Sequence, residues 1–232
     1  MLHLAIGLAA GTLTTVAGMG GGMLVVVALS LVTSPLEAIA VSAPGLLVSN
    51  AHRAWLFRAS LDRKVAGAFI LGAAPAALAG SLVAIALPDA VLTWILVTVS
   101  LLATARALGW IRVVPGPRTL APAGAVTGGL AAVSGAGLVG PVLLAAGLRG
   151  DVYVATASAS AFAMHLGRIV GYGAGGLFDA RSLELSALVL VGLLGGNFAG
   201  QWVRERIGEA RSDQVGYAAM FALVALSLAN LA

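Results

Sequence analysis

Residues 7–28 read GLAAGTLTTVAGMGGGMLVVVA, an uncharged apolar run broken in its middle by Gly18-Met19-Gly20-Gly21-Gly22. Residues 124–145 read GAVTGGLAAVSGAGLVGPVLLA. Laid over the first run, they match it at Gly7, Gly11, Leu13, Val16, Gly18, Gly20, Val25 and Ala28. Neither run alternates with the period of a half-buried strand, so each reads as helix, glycine break, helix. The spacing G-x3-G-x6-G-x-G opens both copies, which predicts a chain built from two repeats, as many transporters are.

The rest of the chain fits that frame. Of 232 residues, 60% are hydrophobic and 9% are charged, against about 25% charged in a typical soluble domain. Mean hydropathy is +1.03. A water-facing surface cannot be assembled from so few polar side chains, whereas a lipid-facing one needs none. The opening MLHLAIGLAAG has no basic n-region and reads as a first membrane segment, not a signal peptide. Cysteine is absent, which excludes disulfides and thiolate chemistry. The net charge of +4 fits basic loops at a membrane surface better than nucleic-acid binding.

Ten apolar segments are expected, at 2–17, 21–33, 36–58, 65–87 and 89–108, then at 120–133, 137–148, 151–175, 184–203 and 214–232. The expected architecture is an all-α integral membrane protein of two five-segment repeats, 1–108 and 119–232, joined by a cytoplasmic linker at 109–118. The opening pair of each repeat is short and glycine-split, so it either crosses twice or forms a re-entrant hairpin. Basic residues set the orientation. Arg58, Arg63 and Lys64, then Arg106, Arg112 and Arg118, then Arg149, then Arg204, Arg206 and Arg211 all fall on one side, with Arg181 alone opposite. Positive-inside counting makes that side cytoplasmic, puts both termini outside, and inverts the second repeat relative to the first.

Two features carry chemistry. Broken helices leave backbone N–H groups that suit an anion, so Gly18, Gly20, Gly21 and Gly22 are candidate site residues, with Ser134, Gly135 and Gly137 as counterparts. Close helix packing through small residues is the competing reading, and it is the expected one for Gly7/Gly11, Gly171/Gly175 and Gly196/Gly200. The second feature is Asn50-x-x-Arg53 and His165-x-x-Arg168, each pair on one helical face. An arginine inside a membrane segment marks a substrate path or a buried partner unless it snorkels, which Arg53, five residues from Arg58, could do. Ser42, Ser49, Thr156, Ser158 and Ser160 could add hydroxyls. No segment holds a carboxylate in its middle, which disfavours an acidic cation site and paired-carboxylate catalysis. Motifs of metalloproteases, serine hydrolases and nucleotide-binding enzymes are missing, so neither an enzyme nor a cofactor is expected.

GMGGGMLVV followed by EAIAVSAPGLLVSNAHR, and GLAAVSGAGLVGPVLL followed by VATASASAFAMHLGRIVGYGAGGLFD, resemble the TauE/SafE-type sulfite exporters, also called the 4-toluene sulfonate uptake permease family. The resemblance spans nearly the whole chain. Pro141 fits the proline that family members often carry beyond the glycines; Leu24 stands at the matching place in the first half, and Leu138 and Val139 replace Gly21 and Gly22 in the second. The resemblance implies a bacterial-type inner-membrane permease for sulfite, an organosulfonate or a related small anion; the two repeats add the expectation of alternating access, one half rocking against the other. An anion channel and a non-transporting membrane partner are the alternatives. Import or export, coupling to a proton or sodium, and assembly as a homodimer stay open.

Overall fold

A computed structural model of the chain describes residues 1–17, 21–107, 109–111, 114–135 and 137–207, with isolated positions 215, 218, 222 and 225 beyond. The expected segment 214–232 therefore lies almost wholly outside the described residues, as do Gly18, Gly20, Arg112 and Arg211. The described residues form helices and no strand: α1 (Leu2–Ala17), α2 (Gly21–Ser30), α3 (Pro35–Leu56), a 3-10 turn at Arg58–Ser60, α4 (Arg63–Ala86), α5 (Asp89–Ala107), α6 (Leu120–Ser134), α7 (Val139–Ala145), α8 (Gly150–Ala174) and α9 (Ala180–Ile207).

Helix starts follow local chemistry. Ser34 Oγ accepts from the Glu37 N–H at 3.2 Å, with Pro35 in the first turn of α3. Asp62 caps α4, its carboxylate accepting from the Lys64 and Val65 N–H groups at 3.0 Å each. Asp179 does the same for α9, where the Ser182 N–H at 2.7 Å holds its carboxyl below the usual range. Asp89 and Asp151 sit in the first turns of α5 and α8, at the positive ends of those helices.

Three helices are long and apolar enough to cross a membrane among the described residues: Arg63–Ala86, Asp89–Arg106 and Ala180–Val203. The equally long α3 and α8 are less apolar because they carry the polar residues of the site. α9 also corrects an expectation. It runs on to Ile207, so Arg204 and Arg206 belong to a helix end and not to a loop. At about 1.5 Å per residue, α2 is only about 15 Å long, half the ~30 Å hydrocarbon core, and α7 is shorter. Neither crosses alone.

Glycines decide the packing. A Cβ on Gly7 would overlap the Val189 carbonyl, and one on Gly11 the Leu193 carbonyl, so α1 lies backbone to backbone on α9. A Cβ on Gly124 would overlap the Phe69 carbonyl, and one on Gly128 the Ala73 carbonyl, so α6 lies on α4 in the same way. The two interfaces correspond residue by residue. Moving from α1 to α6 adds 117 to each number, and moving from α4 to α9 adds 120. The correspondence extends to Gly72 against Ala121 and Ala125, matched by Gly192 against Leu4 and Leu8, and to Gly80 against Gly129, matched by Gly200 against Thr12.

The contact order gives the directions. Gly45 meets Leu190 and Ser49 meets Asn197, so α3 is parallel to α9, as α1 is. Gly167 meets Ala74 and Gly171 meets Leu78, so α8 is parallel to α4, as α6 is. Where α3 meets α8, Ile39 near the start of one bonds to Arg168 near the end of the other, and the two are antiparallel.

Candidate binding cavity

A cavity of about 670 Å³ lies between α1, α3, α8 and α9, with Gly22, Gly135 and Gly137 in its wall. Its walls come from the C-terminal part of α3, the N-terminal half of α8 and the C-terminal half of α9. Most of the lining is apolar, with Met23, Leu46, Phe57, Met164 and Leu193 among it. No carboxylate is found among its described lining residues.

Six of the expected site residues line it: Gly22, Asn50, Arg53, Gly135, Gly137 and His165. Arg53 donates from Nη2 to Asn50 Oδ1 at 3.0 Å, and Asn50 Nδ2 is tied to the Leu46 carbonyl at 2.7 Å. The amide thereby fixes the guanidinium against its own helix instead of leaving it to snorkel. Arg53 Nε is buried and has no hydrogen-bond partner. A guanidinium held in the cavity wall, with no carboxylate among the described lining residues, suits an anion.

His165 is oriented from behind. Arg168 Nη1 lies 3.0 Å from His165 Nδ1. A guanidinium only donates, so Nδ1 accepts and the ring proton sits on Nε2, a donor available to the cavity that the ring lines. Arg168 itself does not line the cavity. It is fully buried, donates from Nη2 to the Ile39 carbonyl at 2.9 Å, and stands 5.7 Å from the Tyr172 ring centroid. Its Nε, like that of Arg53, has no partner.

The breaks reach the cavity through Gly22 at the start of α2 and through Gly135. Gly135 has φ +69, and a Cβ there would meet Val26 Cγ2 at 2.5 Å, so this turn admits only glycine. Ser134 is buried outside the lining, its hydroxyl bonded to the Leu130 carbonyl at 2.7 Å. Gly21 begins α2.

Sequence reading passed over Tyr153, Thr104, Thr15 and Asn197, which also line the cavity. Thr15 donates to Asn197 Oδ1 at 3.1 Å, and Asn197 Nδ2 donates to Ser49 Oγ at 3.2 Å. The Ser49 oxygen is thus occupied as an acceptor, and its O–H is left to donate. The only signal for Asn197 was an amide standing alone inside an apolar segment, GGNFAG.

Two long polar-faced helices packed antiparallel around an anion-suited cavity are what a permease needs. A family model described as sulfite exporter TauE/SafE matches residues 3–228. The chain belongs to that family. No curated protein and no solved structure is significantly similar to it. TauE/SafE proteins are transporters and not enzymes, so this chain is a multi-pass membrane protein of an anion-exporter class.

Proposed function

We propose that this TauE/SafE protein is a secondary permease that binds a small oxyanion, sulfite or an organosulfonate, in the cavity and moves it by alternating access. The observation that carries the reading is Arg53: a guanidinium fixed by Asn50 in the wall of a cavity that has no carboxylate among its described lining residues. His165 Nε2–H, Ser49 O–H and the amides at the start of α2 would supply further donors to the same oxygens. The apolar walls and the volume favour an anion with an organic body. About 670 Å³ falls within the ~300–1,000 Å³ of pockets that hold drug-sized molecules.

Alternating access needs two halves that exchange roles, and the matched glycine contacts support that. α1 runs with α3, α6 runs with α8, and α3 opposes α8. The halves are therefore read as inverted repeats, about 1–108 and 119–232. The cavity lining lies toward the C-terminal ends of α3, α5 and α9, the ends that carry Arg58, Arg106 and Arg206. Arg58 stacks on Trp55 at 4.3 Å and Arg206 on Trp202 at 3.6 Å, aromatic–basic pairs suited to a membrane surface. By the positive-inside rule that surface is cytoplasmic, and the state described is open inward, in a bacterial-type inner membrane. The test is a panel of sulfite, thiosulfate, alkyl and aryl sulfonates and carboxylates on purified protein, scored by thermal stabilisation. Stabilisation by sulfonates that is lost in Arg53→Ala supports the site. Stabilisation by cations alone contradicts it.

A further inference from the structure

Arg53 and Arg168 occupy equivalent places in the two halves. Moving from α3 to α8 adds 115, which carries Pro35 to Gly150 at the helix starts, Asn50 to His165 and Arg53 to Arg168. Both arginines donate at 3.0 Å to the residue three positions earlier. Both leave Nε–H buried and unpartnered. They differ in one bond. Arg168 reaches across to the Ile39 carbonyl, whereas Arg53 makes no such bond to the equivalent residue, Val154.

The same asymmetry of burial holds one turn further along the helix. Tyr172 donates its hydroxyl to the Ala132 carbonyl. The equivalents of those two residues, Phe57 and Thr15, both line the cavity. Ile39, Ala132, Arg168 and Tyr172 are all buried outside it, at 1%, 0%, 0% and 0% exposure. Val154, Thr15, Arg53 and Phe57 are all in its wall. The Arg168–Ile39 bond thus has an unmade counterpart in Arg53 and Val154, while Phe57, lacking a hydroxyl, cannot repeat the Tyr172 bond.

We propose that Arg168 with the Ile39 carbonyl, and Arg53 with the Val154 carbonyl, are two equivalent gates that close alternately. This deepens the permease reading and rests on it. The guanidinium bonded to a carbonyl seals its side. The one released faces the cavity and takes the anion's oxygens, so the anion meets Arg53 from one side of the membrane and Arg168 from the other. The unpartnered Nε–H on the sealed arginine is consistent with a group that serves two states, since a buried donor with no partner in either state would only cost stability. Arg168 acts here as a gating and positioning residue.

The test uses single cysteines at 154 and at 39, in a chain that has none of its own. Only the backbone carbonyls of these residues act in the gates, so the substitutions spare them. A membrane-impermeant maleimide is applied to purified protein in nanodiscs. In the native background Val154→Cys is expected to react and Ile39→Cys to be protected. Arg168→Gln, whose amide can still donate to His165, should raise labelling at 39 by roughly tenfold and lower it at 154, the shift expected when one state loses a charge-assisted hydrogen bond. Arg168→Ala should do the same, and Arg53→Ala should leave 39 protected. The proposal is overturned if 39 stays protected in both Arg168 variants, or if 39 and 154 become reactive together, which is loosening and not exchange. Labelling needs no ligand, so it holds or fails independently of which anion is carried.

Discussion

Ile39 and Arg168, 129 positions apart, meet across the α3–α8 interface, where the Arg168 Nη2–H donates to the Ile39 carbonyl at 2.9 Å. That bond joins the two helices that carry the site, and it lies beyond His165 as seen from the cavity. The Arg168 guanidinium therefore shapes the site without facing it in this state, while Arg53 faces it directly.

The first expectation concerns Arg53. Arg53→Ala should reduce anion uptake on the order of 10- to 100-fold, the scale of a lost hydrogen bond to a charge. Arg53→Lys keeps the charge and loses the planar fork, so it should fall between. Uptake assays at matched protein levels decide it, and native uptake by the Ala variant would place the anion elsewhere.

His165 tests the donor argument separately. His165→Phe keeps a ring but removes both Nε2–H and the Nδ1 that accepts from Arg168, so anion affinity should drop about tenfold or more. His165→Gln can restore an N–H and should recover part of the loss. Equal losses in the two variants would mean that the ring fills space and donates nothing.

A third expectation concerns packing. Gly11→Val or Gly128→Val would drive a side chain into the Leu193 or Ala73 carbonyl and should destabilise by about 1–3 kcal/mol or more. Gly67, with nothing within 4 Å of a Cβ, is the control. Gly67→Ala should be neutral or stabilise by up to about 1 kcal/mol through helix propensity. Thermal unfolding in detergent separates them, and equal midpoints would remove the glycine account of the α1–α9 and α4–α6 interfaces.

Much of this was legible in residue order. The uncharged runs between Pro, Gly and basic residues marked most helices to within a few positions, because a segment in lipid must be apolar over its length. The G-x3-G-x6-G-x-G repeat pointed to Gly7/Gly11 and Gly124/Gly128, whose matched contacts are set by the absence of a side chain. The partition of the arginines was not legible. Arg53 and Arg168 sit at equivalent places, and only tertiary packing puts one in the cavity wall and the other behind it. Asn197 was missed because it stands alone in an apolar stretch of α9 and joins the site only through tertiary packing, and Tyr153 because it lies about three turns before His165, outside the repeated motif.

Orientation yields a fourth expectation. A cysteine at position 63, at the start of α4, should resist an impermeant maleimide applied to intact cells and react in inverted vesicles. Labelling from outside would reverse the assignment of the open side and make the described state outward-facing.

The most direct test of the central claim is flux through purified protein in proteoliposomes, measured with a labelled aryl sulfonate and with sulfite. The account predicts saturable uptake that unlabelled sulfonates compete and that Arg53→Ala removes, at turnover far below channel currents. Flux no greater than in empty liposomes, or undiminished flux in the Arg53→Ala protein, would contradict it.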